Sequence, residues 1–469
     1  MAEHRLPPAV SGRENLRTAD VTTPAVVLKL DPNMLHHGGL GVIRSLGRLG
    51  VPVYGVHEGR WAPAASSRYL AGRVFWTPRP DDADRITAGL LELARRIGRP
   101  AVLLPTDDAG AIFLAEQGGP LRGSFLFADP PAELPRQLAG KYSLGQLCQE
   151  LGVPSPRARL ARSAAAAADF AAQAGFPVIA KLTAPWQTAA WQHGPPLRST
   201  TIIHTPAELA AACQRCTEAG MGLMLQEYLP GGPGHDWFFH GYCDTAGRCQ
   251  PAFTGVKDRS YPAYAGLTSL GRAVPNPDLC AQITGLLTTL GFRGIVDLDL
   301  RFDPRDGQYK LLDFNPRLGA QFRLFEDTAG VDVARAAYLD LTGQPVAGHP
   351  MAGGRRFLVE NYDPLGAVSY WRSGELGFAS WLASLRGVDE LAWFAHDDLL
   401  PFGLMCLRMG WRAVSRPMAR GSSALPRAAG EPRYKPGRSA FHGQPNVLGA
   451  QRRSGDPGGS PPRNMEEKV

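Results

Sequence analysis

The sequence predicts an α/β protein, and two observations predict it. Between Thr23 and Ala128 apolar runs of strand length alternate with segments of helical period, the pattern of a parallel sheet covered on both faces. Between Ile295 and Asn315 two segments with the two-residue period of half-buried strands flank the sequence DPRDG, which suits a tight turn between antiparallel neighbours. At 469 residues, with an ordinary 44% of hydrophobic residues, the chain can bury cores for two or three folded units.

The elements follow in order. Residues 1–21 lack apolar periodicity and read as a disordered lead, without the apolar centre of a secretory signal. Residues 22–130 read as a Rossmann-like domain, with PAVVLKL, VPVYGVH, PAVLLPT and SFLFA as strands and LGVIRSLGRLG and ITAGLLELARRIG as helices. The loop DPNMLHHGGLG sits at the carboxyl end of the first strand, where such sheets hold ligands. It lacks the G-x-G-x-x-G spacing of a dinucleotide site, so NAD is not assumed.

Residues 131–347 form the next unit. Leu144, Leu147, Cys148 and Leu151 have helical spacing behind Lys141, and GFPVIAKLT reads as a buried strand. Thr205, Pro206 and Glu208 open a helix with a capping box. GLMLQEYLPGG reads as strand and turn, and CQPAFTGVKDR as a further strand before the hairpin. Residues 348–411, with WLASLRG and DELAWFAHDDLLPFGLMCLRMGW, read as a short helical extension. Residues 412–469, rich in Pro, Gly, Ser and Arg, read as a disordered basic tail.

The net charge of +7 belongs to that tail, which holds 11 Lys and Arg against 4 Asp and Glu. The rest is balanced at 39 of each sign, so composition gives no reason to expect nucleic acid. No uncharged apolar run could span a bilayer. Seven scattered cysteines and the absence of a signal in the opening residues predict a cytoplasmic protein.

The chemistry is most legible in the hairpin. Asp313 and Asn315 share a face of its return strand, and its register can bring them beside Asp299. Two carboxylates and an amide oxygen suit Mg²⁺, with Mn²⁺ as the alternative; an exposed acidic hairpin neutralised by Arg301, Arg305 and Lys310 is the competing reading. Arg317 follows at once and can reach phosphates near the same metal. Lys141 opposes a helix dipole, which a phosphate would offset and solvent would tolerate. Lys181 lies within a buried strand, where a lysine needs a partner.

Gln226, Glu227 and the backbone at Leu229 suit an adenine edge, and Asp236 can accept from ribose hydroxyls. Lys257 and Arg259 add two cations suited to a triphosphate or a carboxylate. Other signals point to structure. Cys213-x-x-Cys216 lacks a second pair and reads as helix packing, while Trp237, Phe238 and Phe239 read as strand core. His36 and His37 read as polar loop residues or anion or metal contacts. Ser67, Arg68, Asp107 and Asp108 read as substrate contacts or solvated surface.

In the order Lys141, FPVIAK with Lys181, QEYLPGG, Asp236, Lys257, Asp299 and DFNPR, residues Thr23 to Pro345 resemble the ATP-grasp superfamily, in particular its carboxylate-amine ligases. The resemblance implies a pre-ATP-grasp domain over 22–130 and an ATP-grasp fold over 131–347. It implies that Lys141 and Lys181 contact ATP phosphates and that Gln226, Glu227 and Leu229 hold adenine. It further implies that Asp236 holds ribose, that Asp299, Asp313 and Asn315 bind Mg²⁺, and that Arg317 lies near the transferred phosphate.

Three departures stand out. Gln226 and Asp313 replace commoner residues, and a phosphate-covering loop expected within Thr183–Thr200 contains glycine only at Gly194. The implied function is joining a small carboxylate to an amine through an acyl phosphate, with homo-oligomerisation left open. A small-molecule kinase, an ATP-dependent carboxylase and a non-catalytic nucleotide-binding regulator remain as alternatives.

Overall fold

In β1 (Ala25–Leu28) every residue is buried, as expected of a central parallel strand with helices on both faces. The computed structural model describes residues 16, 18–76, 78–183, 197, 200–264 and 266–419, with side chains to 412. Most of the lead, the centre of the Thr183–Thr200 loop with Gly194, and the tail from 420 lie outside the described residues.

Helix α1 (Gly38–Gly47), β2 (Val53–His57), β3 (Leu70–Phe75), α2 (Ala83–Ile97), β4 (Ala101–Pro105), α3 (Asp108–Gln117) and β5 (Phe125–Leu126) follow β1. The strands pair in parallel in the order β3-β2-β1-β4-β5, a Rossmann-like arrangement. Strand β3 escapes the sequence reading because LAGRVF, at the sheet edge, alternates half-buried and exposed positions and has no apolar run. Asp107 caps α3 by accepting from Gly110 N at 2.7 Å, and its other oxygen accepts from Leu30 N and Asp31 N. Its role here is to fasten helix α3 to the end of β1.

Helices α4 (Leu134–Ala139) and α5 (Lys141–Glu150) lead into a second sheet. Here β6 (Ala158–Ala161), β7 (Val178–Leu182), β8 (Thr201–Ile203) and β9 (Leu223–Glu227) pair antiparallel in the order β6-β9-β7-β8. Helices α6 (Ala164–Ala174) and α7 (Pro206–Glu218) share its core, where Cys216 is buried and Cys213 packs against the cluster. Thr205 caps α7 as its sequence predicts.

The third sheet comprises β10 (Asp236–Cys243), β11 (Cys249–Tyr261), β12 (Leu267–Ala273), β13 (Gly294–Asp303), β14 (Gln308–Asn315), β15 (Arg356–Leu358) and β16 (Glu390–Leu391). Their order is β14-β13-β10-β11-β12-β15-β16. Helices α8 (Pro277–Thr289), α9 (Val333–Leu341), α10 (Asp363–Arg372), α11 (Phe378–Ser384) and α12 (Leu400–Ala419) complete the described chain. Residues 348–411 are therefore not only helical. They contribute β15 and β16, and DELAWFA is strand and loop, because the large sheet offers strand edges that outweigh local helical period. Trp393 from this segment is fully buried in a core shared by Val27 and Val102 of the first sheet, Phe238 and Phe253 of the third, and Phe325 in the segment that follows β14.

Candidate active site

Strand pairing assembles the site. Asp299 on β13 lies directly across from Asp313 on β14, and Asp297 across from Asn315, so four polar side chains share one face. Leu312 has no partner because Asp299 pairs with Asp313 and the next residue, Leu300, with Leu311. This bulge leaves the Leu312 carbonyl available to accept from Lys181 Nζ at 3.2 Å. Lys181 stands on β7 in the second sheet, so this contact joins the two walls of one cleft.

The cleft has a cavity volume of about 90 Å³ and is open to solvent. Lys181, Gln226, Glu227 and Leu229 line it from the second-sheet side, and Asp236, Lys257, Asp299 and Asp313 from the third sheet. Ile179, Leu300 and Leu312 supply apolar lining. Lys141, in the first turn of α5, forms an ion pair with Asp313 that offsets its poor placement in the helix dipole. Lys257 pairs with Asp299 at 2.8 Å and lies over the Phe238 ring.

Burial pulls the Lys181 ammonium down to about 8, although Asp313 and Asp299 oppose the shift. The two hairpin carboxylates are pushed apart. Burial raises Asp299 despite Lys257, whereas Lys141 and Lys181 outweigh burial and lower Asp313. The Asn315 amide nitrogen donates to Asp297 O and Oδ2, so its amide oxygen is the atom that remains to join the two carboxylates. Among the described residues no group of three or more His, Cys, Asp or Glu is placed to hold a metal ion by itself. Two carboxylates and one amide oxygen fit an ion such as Mg²⁺ that completes its shell with phosphates and water.

Several expected contacts are already engaged. Asp236 accepts from Arg301 Nε at 2.6 Å, and Arg301 also donates to the carbonyls of Leu229 and Tyr264. Glu227 pairs with Arg157 at 2.7 Å. Arg301 therefore organises the far end of the cleft, a role its polar position on β13 made legible but which the sequence reading gave to charge neutralisation. Tyr264, another lining residue, has φ 56, an unusual conformation for a residue other than glycine.

Arg259 does not belong to the cleft. A bulge at Asp258 makes Lys257 pair with Gly271 and Arg259 with the next residue, Leu270, so the two side chains leave opposite faces of β11. Arg259 forms a two-toothed pair with Asp363 at 2.8 and 3.0 Å and donates to Ser384. Simple two-residue alternation put it beside Lys257; the inserted residue inverts it.

Arg317 stands between the sheets, with Nε to Asp108 at 3.2 Å and Nη1 to Asp297 at 3.1 Å. His240 Nε2 lies 3.1 Å from the other oxygen of Asp297. Burial pushes the Asp297 carboxyl up, but His240, Arg317 and Lys257 together hold it down at about 2. A side chain at Gly319 would place its first carbon 2.5 Å from Asp297 and His240, so glycine permits this close approach. Asp297 and His240 are functional candidates that only the folded chain brings forward. The shared polar face of Asp297 and Asp299 was a usable signal; His240 had none.

No family model matches the chain. It is 23% identical over 241 residues to the D-aspartate ligase of Enterococcus faecium strain Aus0004, a stretch covering 50% of this chain and 57%, under two thirds, of that protein. In structure it is similar to carboxyaminoimidazole ribonucleotide synthase from Aspergillus clavatus complexed with ATP, with TM-score 0.51 and 13% identity over 71% of this chain and 80% of that one. It is also similar to the biotin carboxylase domain of Hydrogenobacter thermophilus 2-oxoglutarate carboxylase in complex with MgADP, ADP and bicarbonate. There the TM-score is 0.50 and the identity 16%, over 71% of this chain and 72% of the other. The architecture is thus that of the ATP-grasp fold, as the order of motifs implied.

Proposed function

We propose that this chain, which has the ATP-grasp fold, uses ATP and Mg²⁺ to join a small carboxylate to an amine through an acyl phosphate. The observation that carries the reading is the cross-strand pair Asp299 and Asp313 facing Lys141, Lys181 and Lys257 at one cleft. Each lysine is held near a carboxylate or carbonyl that a nucleotide and metal can relieve of it. The ammoniums turn to phosphate oxygens, and Asp299, Asp313 and Asn315 turn to the metal. Bound Mg²⁺ supplies Lewis-acid charge neutralisation at the phosphates.

Lys141, Lys181 and Lys257 orient the triphosphate. Ile179, Leu300 and Leu312 provide apolar surface for the base, with Gln226, Glu227 and the Leu229 backbone at its edge. Asp236, fixed by Arg301, faces the ribose. Arg317, braced by Asp108 and Asp297, holds the substrate carboxylate for attack on the γ-phosphorus. The carboxylate oxygen forms the new P–O bond as ADP leaves. The amine nitrogen then bonds to the carbonyl carbon, phosphate departs with the C–O electron pair, and the nitrogen loses a proton. The cytoplasm is the compartment we propose for this reaction.

The partial likeness to a D-aspartate ligase makes D-aspartate the first carboxylate to test. Purified protein, ATP and Mg²⁺ are combined with carboxylates and amines singly and in pairs, and ADP and new amides are measured. The reading expects ADP release only when both partners are present, with one amide per ADP. Release with bicarbonate in place of the carboxylate supports a carboxylase instead. Release with the acceptor acid alone and a stable phosphorylated product supports a kinase, and ATP binding without turnover supports a regulator.

A further inference from the structure

The first sheet winds outward in two directions, through β2 and β3 on one side and β5 on the other, so its order reverses between β1 and β4. Sheets of this kind hold ligands in the crevice at the carboxyl ends of the two strands where the order reverses. Both segments that leave those ends approach the third sheet. Asp108, which opens α3 after β4, pairs with Arg317 at 3.2 Å. After β1, residues 36–38 lie against the stretch that follows Arg317. A side chain on Gly38 would place its first carbon 3.1 Å from Ala320 Cα and 2.9 Å from the His36 ring. One on Gly39 would lie 4.0 Å from the Thr106 hydroxyl, at the end of β4, so the two segments adjoin.

His36 is the titratable group of this crevice that the reaction above leaves without a task. Its ring is partly exposed, and its buried Nδ1 has no hydrogen-bond partner among the described residues. The charged and titratable groups that act on it are Lys29 just past β1, His37 beside it, and Arg317 and Asp297 from the third-sheet side. Burial, then Lys29, His37 and Arg317, hold the imidazole well below its usual range against the pull of Asp297, so the ring is neutral and free to accept a proton. Such a weak base suits the proton shed as an amide forms, because nitrogen bonded to the acyl carbon is far more acidic than a free ammonium ion. We propose that His36 is the catalytic base of the second half-reaction and takes the proton of the amine nitrogen beside Arg317. The nitrogen lone pair forms the C–N bond, phosphate departs with the C–O electron pair, and the proton passes to the imidazole and then to solvent. This rests on the ligase reading above. It assigns the amine to the first-sheet side of Arg317, whereas the nucleotide cleft lies between the second and third sheets.

The test gives the full chain ATP, Mg²⁺ and the carboxylate found in the paired screen, D-aspartate first, with either ammonia or hydroxylamine. Amide, hydroxamate and ADP are measured. Hydroxylamine traps an acyl phosphate as the hydroxamate, and its more acidic adduct gives its proton to water unaided. His36→Gln is expected to lower amide formation from ammonia at neutral pH by at least about a hundredfold, with hydroxamate formation and ATP affinity within about threefold of native. The deficit with ammonia should shrink as pH rises and hydroxide replaces the imidazole. His36→Asn is read alongside and should show the same split. Native-like amide formation by these variants overturns the assignment, and so do equal losses of amide and hydroxamate in a variant with native circular dichroism. Neither product from the native protein with any acid of the screen overturns the ligase reading itself, and this inference with it.

Discussion

The two faces of β11 carry two cations with opposite fates. Lys257 faces the cleft and meets one carboxylate, Asp299, which is 28% exposed. Arg259 faces α10 and α11 and meets Asp363, which is 1% exposed and also accepts from Ser269 and Trp381. Both are close ion pairs, yet only the first can exchange partners. Lys257 and Asp299 can move to phosphate and metal because solvent and ligand reach them. Arg259 and Asp363 are saturated on every side, so removing either strands a buried charge. An ion pair marks a binding site when its members are under-committed and accessible, and marks architecture when they are not.

The largest expected effect lies on the cleft side. Lys181→Ala and Asp313→Ala should each lower kcat/KM by at least about a thousandfold, with thermal unfolding close to native. Unchanged kinetics in both variants would dissolve the distinction between the faces. On the other face Asp363→Ala should leave the chemistry intact in folded protein but cost about 3–5 kcal/mol of stability, measured by denaturant unfolding. A drop in kcat without loss of stability would move Arg259 back to the site.

Asp108→Asn is an intermediate case, because Asp108 braces Arg317 from the start of helix α3. It should reduce kcat by about tenfold with little change in ATP affinity, read as separate kcat and KM values. An effect confined to KM for ATP would instead place Arg317 with the nucleotide.

The smallest effect is in pH. Burial lowers the Lys181 ammonium from 10.5 to about 8 and so disfavours its charged form in the ligand-free fold. Stability of the free protein should therefore rise as pH increases through about 8, whereas ATP affinity should fall as the ammonium is lost. Lys181→Arg should flatten both trends, measured by thermal unfolding and by nucleotide titration. ATP affinity that is level across this range in the native protein would remove Lys181 from the phosphates.

Much of this was legible beforehand because it depends on local order. Apolar runs revealed β1, β2 and β4, and the period of IVDLDLRFDPRDGQYKLLDFN revealed the hairpin and the shared face of Asp299 and Asp313. Strand β3 stayed hidden because an edge strand exposes half of its residues. Trp393 and β16 sat in a segment with helical period, and a distant strand edge changed the outcome.

By itself the sequence determined which residue types stand at which spacing, and hence the α/β class, the order of lysines and carboxylates, and the absence of a strong charge on the body. Tertiary structure alone decided which of those groups meet. One inserted residue at Asp258 turned Arg259 away, and another at Leu312 presented a carbonyl to Lys181. Arg301 found Asp236 on the neighbouring strand, 65 positions away along the chain, and Arg317 found Asp108 at the start of α3, 209 positions away. Periodicity is a property of neighbours in sequence, whereas a bulge or an ion pair is chosen by whatever the folded chain brings opposite, and no local pattern encodes that partner.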